Sequence, residues 1–396
     1  MLHLTLDMYQ TLAMAVGVLY LGALLKCKIH LLEHFCIPAP VVGGVVFAAV
    51  SLLLYALGLV ELSFDETLKT VCMVIFFTSV GFQANVKILK SGGKGLVLFL
   101  ICVITLILGQ NTVGVLIAKG LHLDPLIGLC TGSIPMVGGH GTSGAFGPIL
   151  ENMGIEGATT LCTAAATFGL IAGSLMGGPL GQRLIRKHKL LDTVVPEDET
   201  PLIEEEVKKH RSVSMYAPAA YQIAIAMGLG TLVSWLLSLT GMTFPIYIGA
   251  MIVAAIMRNW GEFTGRFYVH IGEINDIGGI CLSLFLGIAM ITLKLWELAQ
   301  LALPLIILLI GQVLFMAMFS YFVVYNVMGR DYDAAILSAG ICGFGMGATP
   351  NAMANMQVLT EKYAPSVKAY ILVPIIGSMF ADFINSLCIT LFINLL

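Results

Sequence analysis

The sequence predicts an all-α polytopic membrane protein of two inverted five-span repeats, each with a re-entrant glycine-rich hairpin or broken helix. Three observations lead there. The first is composition. Of 396 residues, 58% are apolar and 11% charged, and the mean hydropathy is +0.95; an ordinary soluble domain has about 25% charged residues. So little charge cannot coat a water-facing surface of this size. A soluble multidomain protein, a disordered chain and a disulfide-rich secreted scaffold are excluded together. The net charge of −3 offers no basic surface to nucleic acid. The nine cysteines show no metal spacing and read as small packing residues.

The second observation is where Lys and Arg fall. Runs of about 20 apolar residues cross a bilayer. The candidates are roughly 8–25, 39–60, 68–85, 95–118, 157–181, 216–239, 244–257, 274–293, 300–327 and 366–394. Met1–Gln10 has no Lys or Arg, unlike the start of a signal peptide, while Lys26 and Lys28 follow the first run. With both termini outside and ten crossings, the inside collects 17 of the 20 basic residues, and Lys69, Lys119 and Lys294 remain outside. This bias is what the positive-inside rule requires. It holds only if the glycine-rich stretches at about 125–150 and 333–357 return to the side they left.

The third is an internal repeat. Phe76 matches Phe285 at an offset of 209, Gly132 matches Gly340 at 208, and Gly138, Thr142 and Ala145 match Gly345, Thr349 and Ala352 at 207. Asp124 and Asp333 align at the start of the two glycine-rich stretches. The chain divides into a repeat over 1–181, a charged cytoplasmic linker over 182–215 and a repeat over 216–396. Five spans per half invert the second against the first. Such repeats mark secondary transporters, with the substrate held near mid-membrane.

Unwound backbone is tolerated at that depth only where it lines a cavity. There, helix N-termini present N–H groups to an anion and carbonyls face a cation. Close helix packing through small residues competes with this reading, but does not explain two such stretches at matched positions. Gly138, Gly139, His140 and Gly141 with Gly345 and Gly347 supply backbone. Ser133, Thr142, Ser143, Thr349, Asn351 and Asn355 supply polar side chains. Asp382 lies inside the last span, where a carboxylate marks function, as a cation ligand or a partner for an ammonium; Asn385 follows about one turn later. Gln110 and Asn111 are weaker candidates. His140-Gly141-Thr142-Ser143 has no assigned carboxylate partner, so no catalytic cluster supports an enzyme. A carrier of another organic anion, such as a di- or tricarboxylate, or a cation/proton antiporter or channel using Asp382, stays open on these residues alone.

Gly138-Gly139-His140-Gly141-Thr142, Cys342-Gly343-Phe344-Gly345, Gly347-Ala348-Thr349-Pro350 and Leu293-Lys294-Leu295-Trp296-Glu297-Leu298-Ala299 resemble motifs of the bacterial sodium/glutamate symporters, the glutamate:sodium symporter family. The likeness covers nearly the whole chain except the central linker. It implies Na+-coupled uptake of L-glutamate across the cytoplasmic membrane, with no organic cofactor, by a homodimer using an elevator-type motion. On the reading of the residues themselves, glutamate binds between the tips at 131–147 and 339–355, and unwound carbonyls hold Na+ together with Thr349, Asp382 and Asn385. Ile341 departs from the pattern, which usually has His there. Pro135-Met136-Val137 and Ser143 also look individual to this chain and bear on substrate choice.

Overall fold

A computed structural model describes residues 2–29, 32, 37–87, 93–193, 213–239, 245–293 and 302–396. The first half comprises α1 (Met8–Lys28), α2 (Ala39–Ala56), α3 (Thr67–Gln83), α4 (Gly93–Gly120), the short helices α5 (Pro125–Leu129), α6 (Ser133–Met136) and α7 (Gly139–Asn152), and α8 (Ala158–Lys187). The second half comprises α9 (Val213–Ser238), α10 (Ile248–Thr264), α11 (Ile271–Ile291), α12 (Ala302–Met318), α13 (Tyr332–Phe344), α14 (Thr349–Lys362), α15 (Val367–Ile376) and α16 (Asp382–Leu395). A π-turn at Phe319–Val324 extends α12, and another at Gly377–Ala381 joins α15 to α16. Nine of the ten expected spans each fall on one of these helices, and the tenth, 366–394, covers α15, the π-turn and α16.

Among the described residues, eight helices are long and apolar enough to cross a membrane. The other two expected spans are α3 and α10, at 17 residues each; that length reaches only about 26 Å. They pack on each other, and α3 also lies against α11. Helix α8 continues past the expected boundary at 181 to Lys187, with Arg186 and Lys187 in its last turn, where cations favour the helix dipole. The linker residues 194–212, the motif residues 294–299 and Cys36 lie outside the described residues. The eight described cysteines are free.

One element departs from the all-α expectation. Strands β1 (Leu2–Leu6) and β2 (Val60–Phe64) pair in parallel, Leu2 opposite Val60 and Leu6 opposite Phe64. His3 Nδ1 lies 3.1 Å from Glu61 Oε2 across the pair. Parallel strands need a long crossover, which α1 and α2 provide. Two helices between the strands bring both to one side of the bundle. Asp7 then starts α1 with a capping box, accepting from Tyr9 N and Gln10 N while Gln10 Oε1 accepts from Asp7 N.

The glycine-rich stretches are broken into short helices. Asp124 caps α5 by accepting from Leu126 N at 2.8 Å. Its counterpart in role is Asp331, which caps α13 by accepting from Ala334 N at 2.7 Å. The expected partner, Asp333, instead accepts from Ser366 Oγ at 2.7 Å. The offset from Asp124 to Asp331 equals that from Gly138 to Gly345. Along α8, Gly181 lies against Ala335 and Leu359, and Gly173 lies against the carbonyls of Cys342 and Gly343. Helices α13 and α14 therefore run out along α8 and back. Likewise Gly128 lies against Gly114 of α4, Ser133 N donates to Asn111 Oδ1 at 2.8 Å, and Gly147 returns against Thr159 at the start of α8.

Among the helices outside the breaks, packing keeps the same pattern when the halves are exchanged. Helix α1 packs on α2 as α9 does on α10; α1 and α2 both pack on α11, as α9 and α10 do on α3. Helices α3 and α11 pack on each other, as do α4 and α12. A large apolar cluster fills the space between α4, α8, α12, α13 and α15, with Phe99, Leu184, Met316, Leu337 and Val373 buried in it.

The turn of the α13–α14 pair depends on Gly343. A Cβ there would lie 2.3 Å from Ala352 N, a backbone atom that cannot swing away. Gly343→Ala is expected to destabilise the protein by about 1–3 kcal/mol through overpacking, read as a lower unfolding temperature of the purified protein in detergent.

Candidate substrate and ion site

The two breaks meet at a cavity of about 330 Å³, at the small end of the range for ligand pockets. Gly138, Gly139, His140 and Gly141 line one side, and Gly347, Ala348, Thr349 and Pro350 line the other. Gly377, Ala381 and Asp382 enter from the π-turn and the start of α16, while Phe76, Val80 and Gln83 of α3 face Leu282 and Leu286 of α11. Of the sequence-predicted residues, the structure thus brings Gly138, Gly139, His140, Gly141, Gly347, Thr349 and Asp382 to one place.

Helix α7 starts at Gly139 and α14 at Thr349, so both helix N-termini open on the cavity. The first N–H groups of a helix have no partner in its own ladder. Each N-terminus also carries a partial positive charge that favours an anion. Gly139 makes the turn at φ +58°, where a side chain would be strained, and its α-carbon faces Gly347 O. His140 is buried, with Nε2 2.9 Å from Thr167 Oγ1 of α8. Asp382 is half-buried and makes no hydrogen bond or ion pair with any described residue; it is the one carboxylate among the lining residues. A π-turn directly before it is an arrangement frequent at functional sites.

The remaining predicted residues sit behind the cavity wall. Thr142 packs on Gly138. Ser143 Oγ donates to Gly139 O at 2.7 Å. Asn351 Nδ2 donates to Leu170 O at 3.0 Å and Ser174 Oγ at 2.8 Å, and Asn355 Nδ2 donates to Gly173 O at 2.9 Å, so both tie α14 to α8. Gly345 O accepts from Gln110 Nε2 at 2.6 Å. Asn385 Nδ2 donates to Ser133 O at 3.0 Å. Ser133, Gln110, Asn111 and Asn385 thus form a second polar group, joined by Gln312, whose Nε2 donates to Gln110 O at 2.8 Å. All five are fully buried. Gln312 has no place among the sequence-predicted residues, yet the dipeptide Gly109-Gln110 recurs as Gly311-Gln312, which was signal enough to find it. In this group Gln110 Oε1, Gln312 Oε1, Asn385 Oδ1, Asn111 Nδ2 and Ser133 Oγ have no hydrogen-bond partner among the described residues. Each such orphan costs about 1–3 kcal/mol when nothing replaces water.

The family model for the sodium/glutamate symporters matches residues 4–365. The chain belongs to the sodium/glutamate symporter family. It is 40% identical over 394 residues to the sodium/glutamate symporter of Escherichia coli (strain K12), covering 98% of each chain. With that of Haemophilus influenzae it shares 39% identity over 391 residues, 96% of each. Among solved structures, a sodium proton antiporter from Methanocaldococcus jannaschii aligns over 97% of this chain at 16% identity, with a TM-score of 0.41. The cavity and the buried polar group are the two places where the sequence-predicted polar residues gather.

Proposed function

We infer that this chain is a multi-pass carrier that moves glutamate into the cell with Na+ as the coupling ion. Membership of the symporter family supports the reaction. The observation that carries the site is that the N-termini of α7 and α14 open on one cavity beside the unpaired carboxylate of Asp382. L-Glutamate has two carboxylates and one ammonium. Each carboxylate takes one helix N-terminus, where N–H groups and the dipole replace water. No Arg or Lys is among the described residues that line the cavity, so neutral donors do this work. Asp382 and the Thr349 hydroxyl hold a Na+ beside the substrate. Glutamate carries a net −1, so two or more Na+ make each cycle move positive charge inward, worth about 2.3 kcal/mol per net charge per 100 mV.

Around this site the chain forms two inverted repeats over 1–181 and 216–396. The exchange pattern of helix packing and the out-and-back course of α13–α14 along α8 support that plan. Both termini then lie outside the bacterial cytoplasmic membrane, in keeping with the basic residues of the inner loops. Helices α4–α8 and α12–α16 carry both breaks and move as a unit against α1–α3 and α9–α11, an elevator-type alternation; the homodimer is carried over from the family resemblance.

In proteoliposomes, labelled L-glutamate is expected to accumulate under an inward Na+ gradient and to stop when choline replaces Na+. Unlabelled citrate should not compete. Na+-driven uptake of citrate or malate without glutamate uptake would keep the coupling and overturn the substrate.

A further inference from the structure

We propose that the buried group formed by Gln110, Ser133, Gln312 and Asn385 is a second Na+ site, separate from the substrate cavity and built only from neutral oxygens. The proposal rests on the Na+-coupled reading. Gln110 and Gln312 meet on one turn of α4, Asn385 joins through Ser133, whose N–H is held by the adjacent Asn111, and each of the three amides is tethered by its nitrogen: Gln110 to Gly345 O, Gln312 to Gln110 O, Asn385 to Ser133 O. Tethering the nitrogen fixes the oxygen, and all three oxygens are left without a donor. The Ser133 hydroxyl is unpaired as well. Asn111 is held the other way round, by its oxygen to Ser133 N, so it positions Ser133 and is not a ligand.

Four orphaned oxygens from four separate helices ask for something that accepts lone pairs. A hard cation takes several neutral oxygens at once, as carbonyl-lined filters do for K+. Water can donate only two hydrogens. The 13-residue helix α13 ends at Phe344 with Gly345 as its C-cap, and its C-terminal carbonyl end lies at this group, where the helix dipole favours positive charge. Among the described residues no cluster of three or more His, Cys, Asp or Glu is placed to hold a metal. A divalent ion or a soft metal therefore lacks its usual ligands here, while a monovalent alkali cation does not need them.

The site also has a position suited to coupling. It ties α4 and α12 to both breaks, through Gly345 on one side and Ser133 on the other. An ion bound there would set the geometry of both tips before glutamate arrives. Binding at this site and glutamate binding are then linked, and each raises the other's affinity by the same factor.

The test is Gln312→Leu and Gln312→Glu, with Asn385→Asp as an independent variant. The readouts are the ratio of labelled Na+ to glutamate flux and the half-saturating Na+ concentration at saturating glutamate. Loss of the Gln312 oxygen is expected to lower the flux ratio by one Na+, or to raise half-saturating Na+ at least tenfold. Where high Na+ refills the site, glutamate KM at saturating Na+ should stay within about threefold; where the flux ratio falls by one Na+, it should rise by the coupling factor. Gln312→Glu and Asn385→Asp give up the tethering N–H but supply a charged oxygen that a bound cation would hold, so half-saturating Na+ should fall; a merely structural role predicts no such gain. Wild-type flux ratio and half-saturation in all folded variants would mean that the group holds only water, and the proposal is overturned. If the Leu variant is not recovered as folded protein, the two carboxylate variants decide by the same readout. Glutamate accumulation by the wild type without Na+ would instead defeat the symport reading, before any variant is measured.

Discussion

Asp382→Asn is expected to cut Na+-driven glutamate uptake at least 100-fold, a loss of about 2.7 kcal/mol. Asn has the same shape and keeps one oxygen, so packing around α16 is preserved and only the charge is removed. That charge is the one carboxylate among the described residues lining the cavity, and it has no partner among them. An unpaired carboxylate at this depth is costly and is kept for function. Na+ bound by Asp382 and Thr349 would lose its counter-charge, so half-saturating Na+ should rise at least tenfold in the residual activity. A different pattern arises if Asp382 faces the substrate ammonium. The variant would then accept glutarate, which has both carboxylates and no amine, while its Na+ dependence stayed near that of the wild type. Uptake measured against Na+, with glutarate as competitor, separates the two. Uptake and Na+ dependence both unchanged would remove Asp382 from the site.

How much of this was legible in the sequence differs by element. The ten apolar runs all fell on helices because hydrophobic length is imposed by the bilayer, not by tertiary context. The glycine-rich tips were legible for a similar reason: Gly138–Gly141 and Gly347–Thr349 have no purpose in a plain spanning helix, and the structure brings them to one cavity. The strands were missed although their signal was present. Leu2-His3-Leu4-Thr5-Leu6 and Val60-Glu61-Leu62-Ser63-Phe64 both alternate apolar and polar residues with period two. Each run is only five residues and adjoins an apolar span, too short for its period to stand out beside it.

Polar side chains were the least legible part. Asn351 and Asn355 flank a tip, but their amides are used on the carbonyls of α8. Asp382 and Asn385, about one turn apart, address different places: one lines the cavity and the other holds Ser133. Sequence gives the depth of such residues and not the neighbour they meet. The π-turn at Gly377–Ala381 adds to this, because an extra residue in a helical turn changes the direction of everything after it. The capping aspartate was misaligned for a simpler reason. Asp331 and Asp333 stand two residues apart, and only the bond to Ala334 N tells which one begins the helix.

The elevator reading makes a prediction of comparable size. If the helices bearing the breaks slide against α3 and α11, a covalent bond between α7 and α11 must stop transport. A Cβ at Gly144 would lie 3.6 Å from the Cβ of Ala289, within the range of about 3.5–4.5 Å that a disulfide needs. The Phe285 ring, 2.9 Å from that added Cβ, must turn slightly aside. In a background with the nine native cysteines replaced, Gly144→Cys with Ala289→Cys is expected to lose more than 90% of glutamate uptake on oxidation. Reduction should restore it. Each single variant, oxidised in parallel, controls for the shift of Phe285 and for damage by the oxidant. Complete cross-linking with uptake unchanged would show that α7 and α11 stay together through the cycle. Alternation would then have to come from smaller movements of the tips at 137–141 and 345–349, with the rest of the bundle at rest.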